Sequence, residues 1–203
     1  MTVIDKHGIF QRVDSGEKLA LELGCGNQKI DPSAIGVDML DFECVDLVGD
    51  IFEVLARLPS DCVKQISTSH FMEHVKDVPR LMSELSRVLE QGGSLKAVVP
   101  HFSNPFYYSD PTHCSPFGLY TMAYYCEQQL FSRNVPSYAI GVPLVLTKIT
   151  LRFKSIRPRY FSHAFKRAIG AIINCTTFTM EFYEENLCWL FPCYEIHFEM
   201  HKK

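Results

Sequence analysis

The feature that most restricts how this chain folds is a five-residue apolar segment, Leu19-Ala20-Leu21-Glu22-Leu23, running directly into Gly24-Cys25-Gly26-Asn27. An apolar run this short, closed by glycine, reads as a buried strand. The glycines behind it permit a tight turn and let the backbone approach a ligand closely, so that successive N–H groups meet its polar parts. Further short apolar runs supply the neighbouring strands: Ile35-Gly36-Val37-Asp38, Val45 to Val48 before Gly49-Asp50, and Val63 to Ser67 before Ser69-His70.

Between Asp77 and Gln91 the period changes. Val78, Leu81, Met82, Leu85, Val88 and Leu89 recur at helical spacing, with Asp77 as N-cap, Pro79 tolerated in the first turn and Gly92-Gly93 as the stop. A fifth strand, Ser94 to Val99, ends at Pro100. Strands alternating with helices predict an α/β fold with a mainly parallel sheet covered on both faces and ligands at the C-terminal strand ends. That edge gathers Gly24, Asp38, Asp50, Ser69 and His101. The aromatic, Pro- and Ser-rich stretch from Phe102 to Tyr125 has no single period and reads as a long lid or substrate loop followed by a helix. Val145 to Phe153 then alternates like a strand, Glu181 to Leu190 is helix-like, and Tyr194 to Met200 forms a last strand.

With 203 residues, 47% of them hydrophobic, the chain suffices for one substantial core and hence one domain. A net charge of -3 gives no general attraction to phosphate backbones, so no nucleic-acid partner is expected. Arg152, Lys154, Arg157, Arg159, Lys166 and Arg167 nevertheless bunch together, either as a solvated face or as a surface for an anionic substrate or for peripheral membrane contact. The eight cysteines lack Cys-x-x-Cys spacing, which indicates neither a zinc site nor a disulfide scaffold. With no basic and apolar leader, a reducing cytoplasm is the expected location. Ala168 to Cys175 is too short to span a bilayer.

A glycine turn alone is shared by many nucleotide-binding domains, and two carboxylates sharpen it. Asp38 ends the second strand, where it can accept both ribose hydroxyls, and Asp50 ends the third, where it can accept the adenine amine. A dinucleotide dehydrogenase fits less well, because Gly24-Cys25-Gly26-Asn27-Gln28-Lys29 lacks the third glycine and Asp38 arrives earlier than the spacing of about twenty residues in that fingerprint. Over most of its length the chain resembles the class I S-adenosylmethionine-dependent methyltransferases, type 11 branch. The resemblance rests on Leu21-Glu22-Leu23-Gly24-Cys25-Gly26, Ile35-Gly36-Val37-Asp38, Gly49-Asp50-Ile51, Ser69-His70-Phe71-Met72-Glu73-His74 and Arg87-Val88-Leu89-Glu90-Gln91-Gly92-Gly93, in that order.

The resemblance implies a Rossmann-like fold with a mainly parallel seven-stranded sheet and an antiparallel C-terminal strand. It divides the single domain 1–203 into a cofactor-binding half (15–100), an acceptor loop and helix (101–143) and C-terminal strands and helices (144–203). S-adenosylmethionine is the implied cofactor, held by Glu22, Gly24, Cys25, Gly26, Asn27, Asp38, Met39, Asp50, Ile51, Ser69, His70 and His74. Glu22 orients the glycine loop, and Glu73 and His74 have helix capping as an alternative role. The stretch from Gly26 to Asp38, interrupted by Pro32, is too short for the full helix that most members carry there. Methyltransferases associated with bacterial saccharide biosynthesis share this abbreviation, which implies O-methylation of a saccharide or other small-molecule acceptor. The alternatives are a lipid- or quinone-type acceptor and an inactive module that only binds the cofactor.

The acceptor must lie in line with the transferred methyl, and an oxygen acceptor must lose a proton. After the fifth strand come Pro100-His101-Phe102 and Ser109-Asp110-Pro111-Thr112-His113, the latter similar to an Asp-Pro-Thr-His element of saccharide-associated relatives. His113 is the candidate general base, with Asp110 or His101 to orient it. Two other readings stand beside this: Asp110 capping the turn at Pro111, and His101, Asp110 and His113 holding a divalent metal. Phe102, Phe106, Tyr107, Tyr108, Phe117, Tyr120, Tyr124 and Tyr125 either stack on a sugar ring or form core.

Overall fold

Leu19, Leu21 and Leu23 on one face of their strand are 1–2% exposed and Glu22 on the other is 2% exposed, so the strand is covered on both sides at the centre of an eight-stranded sheet. The computed structural model describes residues 2–126, 130–138, 142–155 and 158–203. The strands are β1 (Ile4–Asp5), β2 (Leu19–Leu23), β3 (Ile35–Asp38), β4 (Leu47–Val48), β5 (Val63–Ser69), β6 (Leu89–Pro100), β7 (Leu144–Arg152) and β8 (Glu195–Lys202). Their order in the sheet is β1-β4-β3-β2-β5-β6-β8-β7. β4, β3, β2, β5 and β6 run parallel, while β8 is antiparallel to both β6 and β7. The parallel core and the antiparallel C-terminal strand agree with expectation, and the eighth strand is the two-residue β1, paired antiparallel to β4.

Helices α1 (Ile9–Asp14), α2 (Ile51–Arg57), α3 (Val78–Val88), α4 (Tyr160–Ile173) and α5 (Thr177–Asn186) cover the sheet. In α3, Leu81, Met82, Leu85 and Val88 have no exposure, and each such side chain stabilises the fold by about 1.5–3 kcal/mol. The Asp77 side chain accepts from the Arg80 N–H, as an N-cap should. The helix nevertheless ends at Val88, before the glycine pair. Leu89 is already extended and pairs with Val63, and Gly92, at φ 76°, lies in the irregularity before Ser94 pairs with Gln65. The pull of the sheet on Leu89, fully buried, outweighs its fit to the helical period.

Other boundaries differ from expectation for similar reasons. The last helix begins at Thr177, where Thr176 and Thr179 form a reciprocal capping box, and ends at Asn186. Among the described residues between the aromatic loop and β7 there is no α-helix; Tyr107–Ser109 and Thr121–Tyr125 are short 3-10 helices. α4 is not legible as a helix because only Gly170 and Ile173 on it are buried, which leaves its period dominated by exposed Phe161, Phe165 and Ile172. Among the described residues no helix is long and apolar enough to cross a membrane. All eight cysteines are free thiols.

The parallel registers, Leu23 beside Val37 and Thr68, Asp38 beside Val48, and Ser69 beside Val98, bring the C-terminal strand ends to one edge. The first crossover from β2 to β3 contains no helix. Its backbone is tied instead to Glu22, 2% exposed, whose carboxylate accepts the N–H groups of Ile30 at 2.9 and 3.0 Å and of Asp31 at 3.1 Å. A buried charge is tolerable when hydrogen-bonded this fully.

Gly24, at φ 65°, lies so close to Phe71 that an added Cβ would come within 2.6 Å of the Phe71 Cβ, whereas a Cβ on Gly26, at φ 57°, would meet nothing within 4 Å. The left-handed backbone costs a non-glycine residue about 1–2 kcal/mol at either position. Only at Gly24 is a steric clash added. Gly24→Ala is therefore expected to lower the melting temperature more than Gly26→Ala, and equal losses in thermal denaturation would contradict this packing.

Candidate active site

At the edge formed by the strand ends, Asp38 carries most of the local hydrogen bonding. One carboxylate oxygen accepts the Gly26 N–H at 2.8 Å and the other the Leu40 N–H at 2.9 Å, so the glycine turn and the post-β3 turn are tied together through this residue. Carboxylate oxygens have further lone pairs, and these are what a vicinal diol would engage. Gly24 N–H donates to the Val37 carbonyl at 2.8 Å, fixing the turn against β3. Asn27, Met39 and Leu40 are exposed around it, the last two at 58% and 60%, which forms an open apolar rim suited to a flat ring.

Asp50 is the N-cap of α2: its Oδ1 accepts the N–H groups of Phe52 at 2.9 Å and Glu53 at 3.4 Å. Ile51 behind it is buried. Cys25 points inward, packs with Val45 and Val48, and burial pushes its thiol up to about 12, so it is a packing residue and not a reactive one. Glu22 shapes the loop from beneath.

The segment after β5 brings in the second half of the site. Ser69 ends the strand, and His70 takes a left-handed conformation at φ 54° with its N–H on the Val98 carbonyl at 2.9 Å. Its ring lies between two carboxylates, Nε2 3.5 Å from Glu195 Oε2 and Nδ1 3.3 Å from Glu73 Oε1. Glu195 first and Glu73 second raise the His70 pKa to about 9 against desolvation, so the ring is an imidazolium at neutral pH. Burial alone would raise the Glu195 carboxyl, but hydrogen bonds from His197, His70 and Lys154 hold it well below the usual range. Sequence reading missed Glu195; the signal was a carboxylate at the start of an apolar strand.

His113 lies next to this group. Its Nδ1–H donates to the Tyr107 carbonyl at 2.8 Å, which leaves the lone pair of the neutral ring on Nε2, 3.9 Å from Glu73 Oε1. The Thr112 hydroxyl donates to Asp110 Oδ1 at 2.6 Å and so accepts from His74 Nδ1 at 2.9 Å, placing the His74 lone pair on Nε2 as well. The two rings meet edge to face with centroids 4.8 Å apart. Asp110 also accepts the Thr112 N–H at 2.9 Å, and the Thr112 hydroxyl and then its N–H hold the carboxyl below its ordinary value. It thus caps the turn, while its distance to His113 Nε2, 3.7 Å, is an ion-pair distance and not a hydrogen bond.

His101 is elsewhere. It is fully buried, with Nδ1 2.8 Å from Ser103 Oγ and Nε2 2.8 Å from Glu184 Oε2, so neither nitrogen faces an acceptor. The expectation that it orients His113, or shares a metal with Asp110 and His113, is corrected by these two contacts. Glu184 also accepts the Leu119 N–H, and the whole group fastens α5 to the loop. Of the aromatics, Phe117 is core, whereas Phe106, Tyr108 and Tyr194 line or border open space. A cleft bounded by Phe106, Tyr194, Asn104, Lys154, Arg159 and Lys166 is linked to His70 through Glu195, which Lys154 and His70 share. Arg157 lies outside the described residues.

Comparison with known proteins fits this geometry. The model of a methyltransferase domain family matches residues 27–97, which run from the glycine turn into β6. A SAM-dependent methyltransferase from Archaeoglobus fulgidus superposes with a TM-score of 0.56 at 17% identity, covering 96% of this chain and 93% of that one. Phosphoethanolamine N-methyltransferase 2 of Haemonchus contortus, solved with phosphomonomethylethanolamine and S-adenosylhomocysteine, does so with a TM-score of 0.51 at 12% identity, covering 96% of this chain and 51% of that one. Among curated proteins no sequence matches.

Charge-assisted hydrogen bonds are worth about 1.5–3 kcal/mol each, so Asp38→Ala is expected to weaken S-adenosylhomocysteine binding by about ten- to a hundredfold. Unchanged affinity in calorimetry would mean that this carboxylate does not hold the ribose. The chain has the Rossmann-like fold seen in the Archaeoglobus fulgidus SAM-dependent methyltransferase, and its residues 27–97 are similar to a methyltransferase domain.

Proposed function

We propose that the protein transfers a methyl group from S-adenosylmethionine to an oxygen of a small saccharide acceptor that bears an anionic group. The observation that carries this reading is the continuity of the edge: Asp38 and the glycine turn, the His70 and His113 group, and the cleft with Lys154, Arg159 and Lys166 follow one another along it. Bound in the turn, S-adenosylmethionine supplies an electrophilic methyl on a sulfonium. The carbon–sulfur bond would break as the carbon–oxygen bond forms, with S-adenosylhomocysteine as the leaving group and the acceptor proton passing to His113 Nε2.

The residues of the chain divide this work. Asp38 and the N–H groups of the turn hold the ribose and amino-acid part, and Asp50, Ile51 and the Met39–Leu40 rim receive the adenine. Ser69 and His70 stand toward the sulfonium end. His113 is needed to activate the acceptor oxygen through its Nε2 lone pair, whose direction is fixed by the bond to Tyr107. Phe106 and Tyr194 offer faces to a sugar ring, and the three cations offer partners to a phosphate or carboxylate. α4 exposes Phe161 and Phe165 beside Arg159 and Arg167, which suits peripheral contact with an anionic membrane surface where such an acceptor is lipid-linked.

S-adenosylhomocysteine is expected to raise the melting temperature and NAD to leave it unchanged, a ligand at a hundred times its Kd being worth about 2.7 kcal/mol. Stabilisation by NAD alone would overturn the cofactor assignment. On an acceptor identified by screening sugar nucleotides and lipid-linked saccharides with labelled cofactor, His113→Ala should lose about 10²- to 10⁴-fold in turnover while still binding S-adenosylhomocysteine. Full activity in that variant would remove His113 from the reaction. Cofactor binding without turnover on any acceptor would favour the inactive module.

A further inference from the structure

We propose that Glu73, His74 and His113 form a binding site for a divalent first-row cation of the zinc type, set in the wall of the acceptor space. Glu73 is the starting point. It has no exposure, and neither of its carboxylate oxygens accepts a hydrogen bond among the described residues. The His70 imidazolium lies against one of these oxygens, yet both remain without a hydrogen bond, so the buried carboxylate keeps lone pairs that a bound cation would satisfy. The groups facing it are imidazoles: His70 Nδ1 at 3.3 Å and His113 Nε2 at 3.9 Å from Oε1, with His74 completing the set. One ligand atom from each of Glu73, His74 and His113 lies within 4.8 Å of the others.

Zinc bonds of 2.0–2.2 Å in a tetrahedron put ligand atoms about 3.3–3.6 Å apart, so the three need close by only about 1.5 Å or less. His74, on the exposed side, has room for that movement. The surroundings of both histidines match what holds a metal-bound imidazole. His113 donates its other ring proton to a backbone carbonyl, that of Tyr107, and His74 donates to Thr112, which is itself fixed by Asp110. The Asp110-Pro111-Thr112-His113 segment thereby acquires a physical role, in which His113 supplies one ligand while Asp110 and Thr112 aim another.

Two nitrogens and one oxygen favour zinc, cobalt or nickel over magnesium or calcium. Three protein ligands also leave a position open, as catalytic zinc sites do. An acceptor hydroxyl in that position would have its pKa lowered by the cation and would lose its proton to solvent, so that His113 would serve the acceptor as a ligand of the metal in place of taking the proton itself. His70, displaced from Glu73 by the incoming charge, keeps Glu195 as its partner. The cation site rests on these residues alone, and its place beside the acceptor rests on the function proposed above.

The full chain, stripped of metal by chelator, is titrated with Co²⁺ and followed by its visible spectrum, and Zn²⁺ is then added to displace it. One equivalent of Co²⁺ is expected to bind with the ligand-field bands of a nitrogen and oxygen site and without a thiolate charge-transfer band, which excludes nearby Cys114. Glu73→Gln and His74→Ala should each weaken uptake at least about tenfold, since even outer partners of a ligand are worth that much. No uptake by the unaltered chain, uptake undiminished in the variants, or a thiolate band would overturn the site. Should Glu73→Gln fail to fold, the exposed His74→Ala decides. Calorimetry with S-adenosylhomocysteine on the same sample separates the two claims: cofactor binding without Co²⁺ uptake removes only the metal, and the reverse removes only the methyltransferase reading.

Discussion

Two carboxylates hold the edge at the glycine turn in shape, and the rest of the candidate site depends on them. Glu22, beneath the turn, accepts the N–H groups of Ile30 and Asp31, and Asp38, above it, accepts those of Gly26 and Leu40. In an α/β crossover these backbone donors would ordinarily be satisfied within a helix. Here the connection is too short to form one, and side-chain acceptors take its place. The chain thus keeps the strand order of the fold while dispensing with its first crossover helix. The same loop that makes this shortening possible becomes dependent on charge.

The histidine side of the edge is built by a different principle. After β5 the chain turns at His70 in a left-handed conformation, which sends Glu73 into the interior and leaves His74 at the surface. The long loop after β6 then closes over this turn: Cys114 and Ser115 N–H groups bond to the Glu73 carbonyl, and His113 comes to rest against the same residue. Four titratable groups, His70, Glu73, His74 and His113, are therefore brought together by backbone bonds, to which the ion pair of His70 with Glu73 adds. Such pre-organisation is what positions chemistry before a substrate arrives.

Much of the fold is legible in the chain, and what can be read has a physical basis. Strands β2 and β3 stand out because they are buried along most of their length and bounded by glycine or carboxylate, and the residues ending them stand out with them. α3 is evident from its period, but its last turn is overestimated because Leu89 serves helix and sheet patterns equally. α4 and the pairing of His101 with Glu184 are not legible: the first lacks a buried stripe, and the second joins residues on distant segments that carry no local signal. Asp110 and His113 are visible as one turn motif in the loop after β6, while Glu73 and Glu195 gain their significance only when the fold surrounds them with histidines.

In the proposed reaction one continuous edge binds the donor and presents its methyl to the histidine group. A crystal structure of the protein with S-adenosylhomocysteine tests it most directly. Both ribose hydroxyls are expected within hydrogen-bonding distance of Asp38, and the thioether sulfur is expected to point toward His70 and His113. Cofactor bound away from Asp38, or with its sulfur turned from the histidines toward solvent, would contradict the claim.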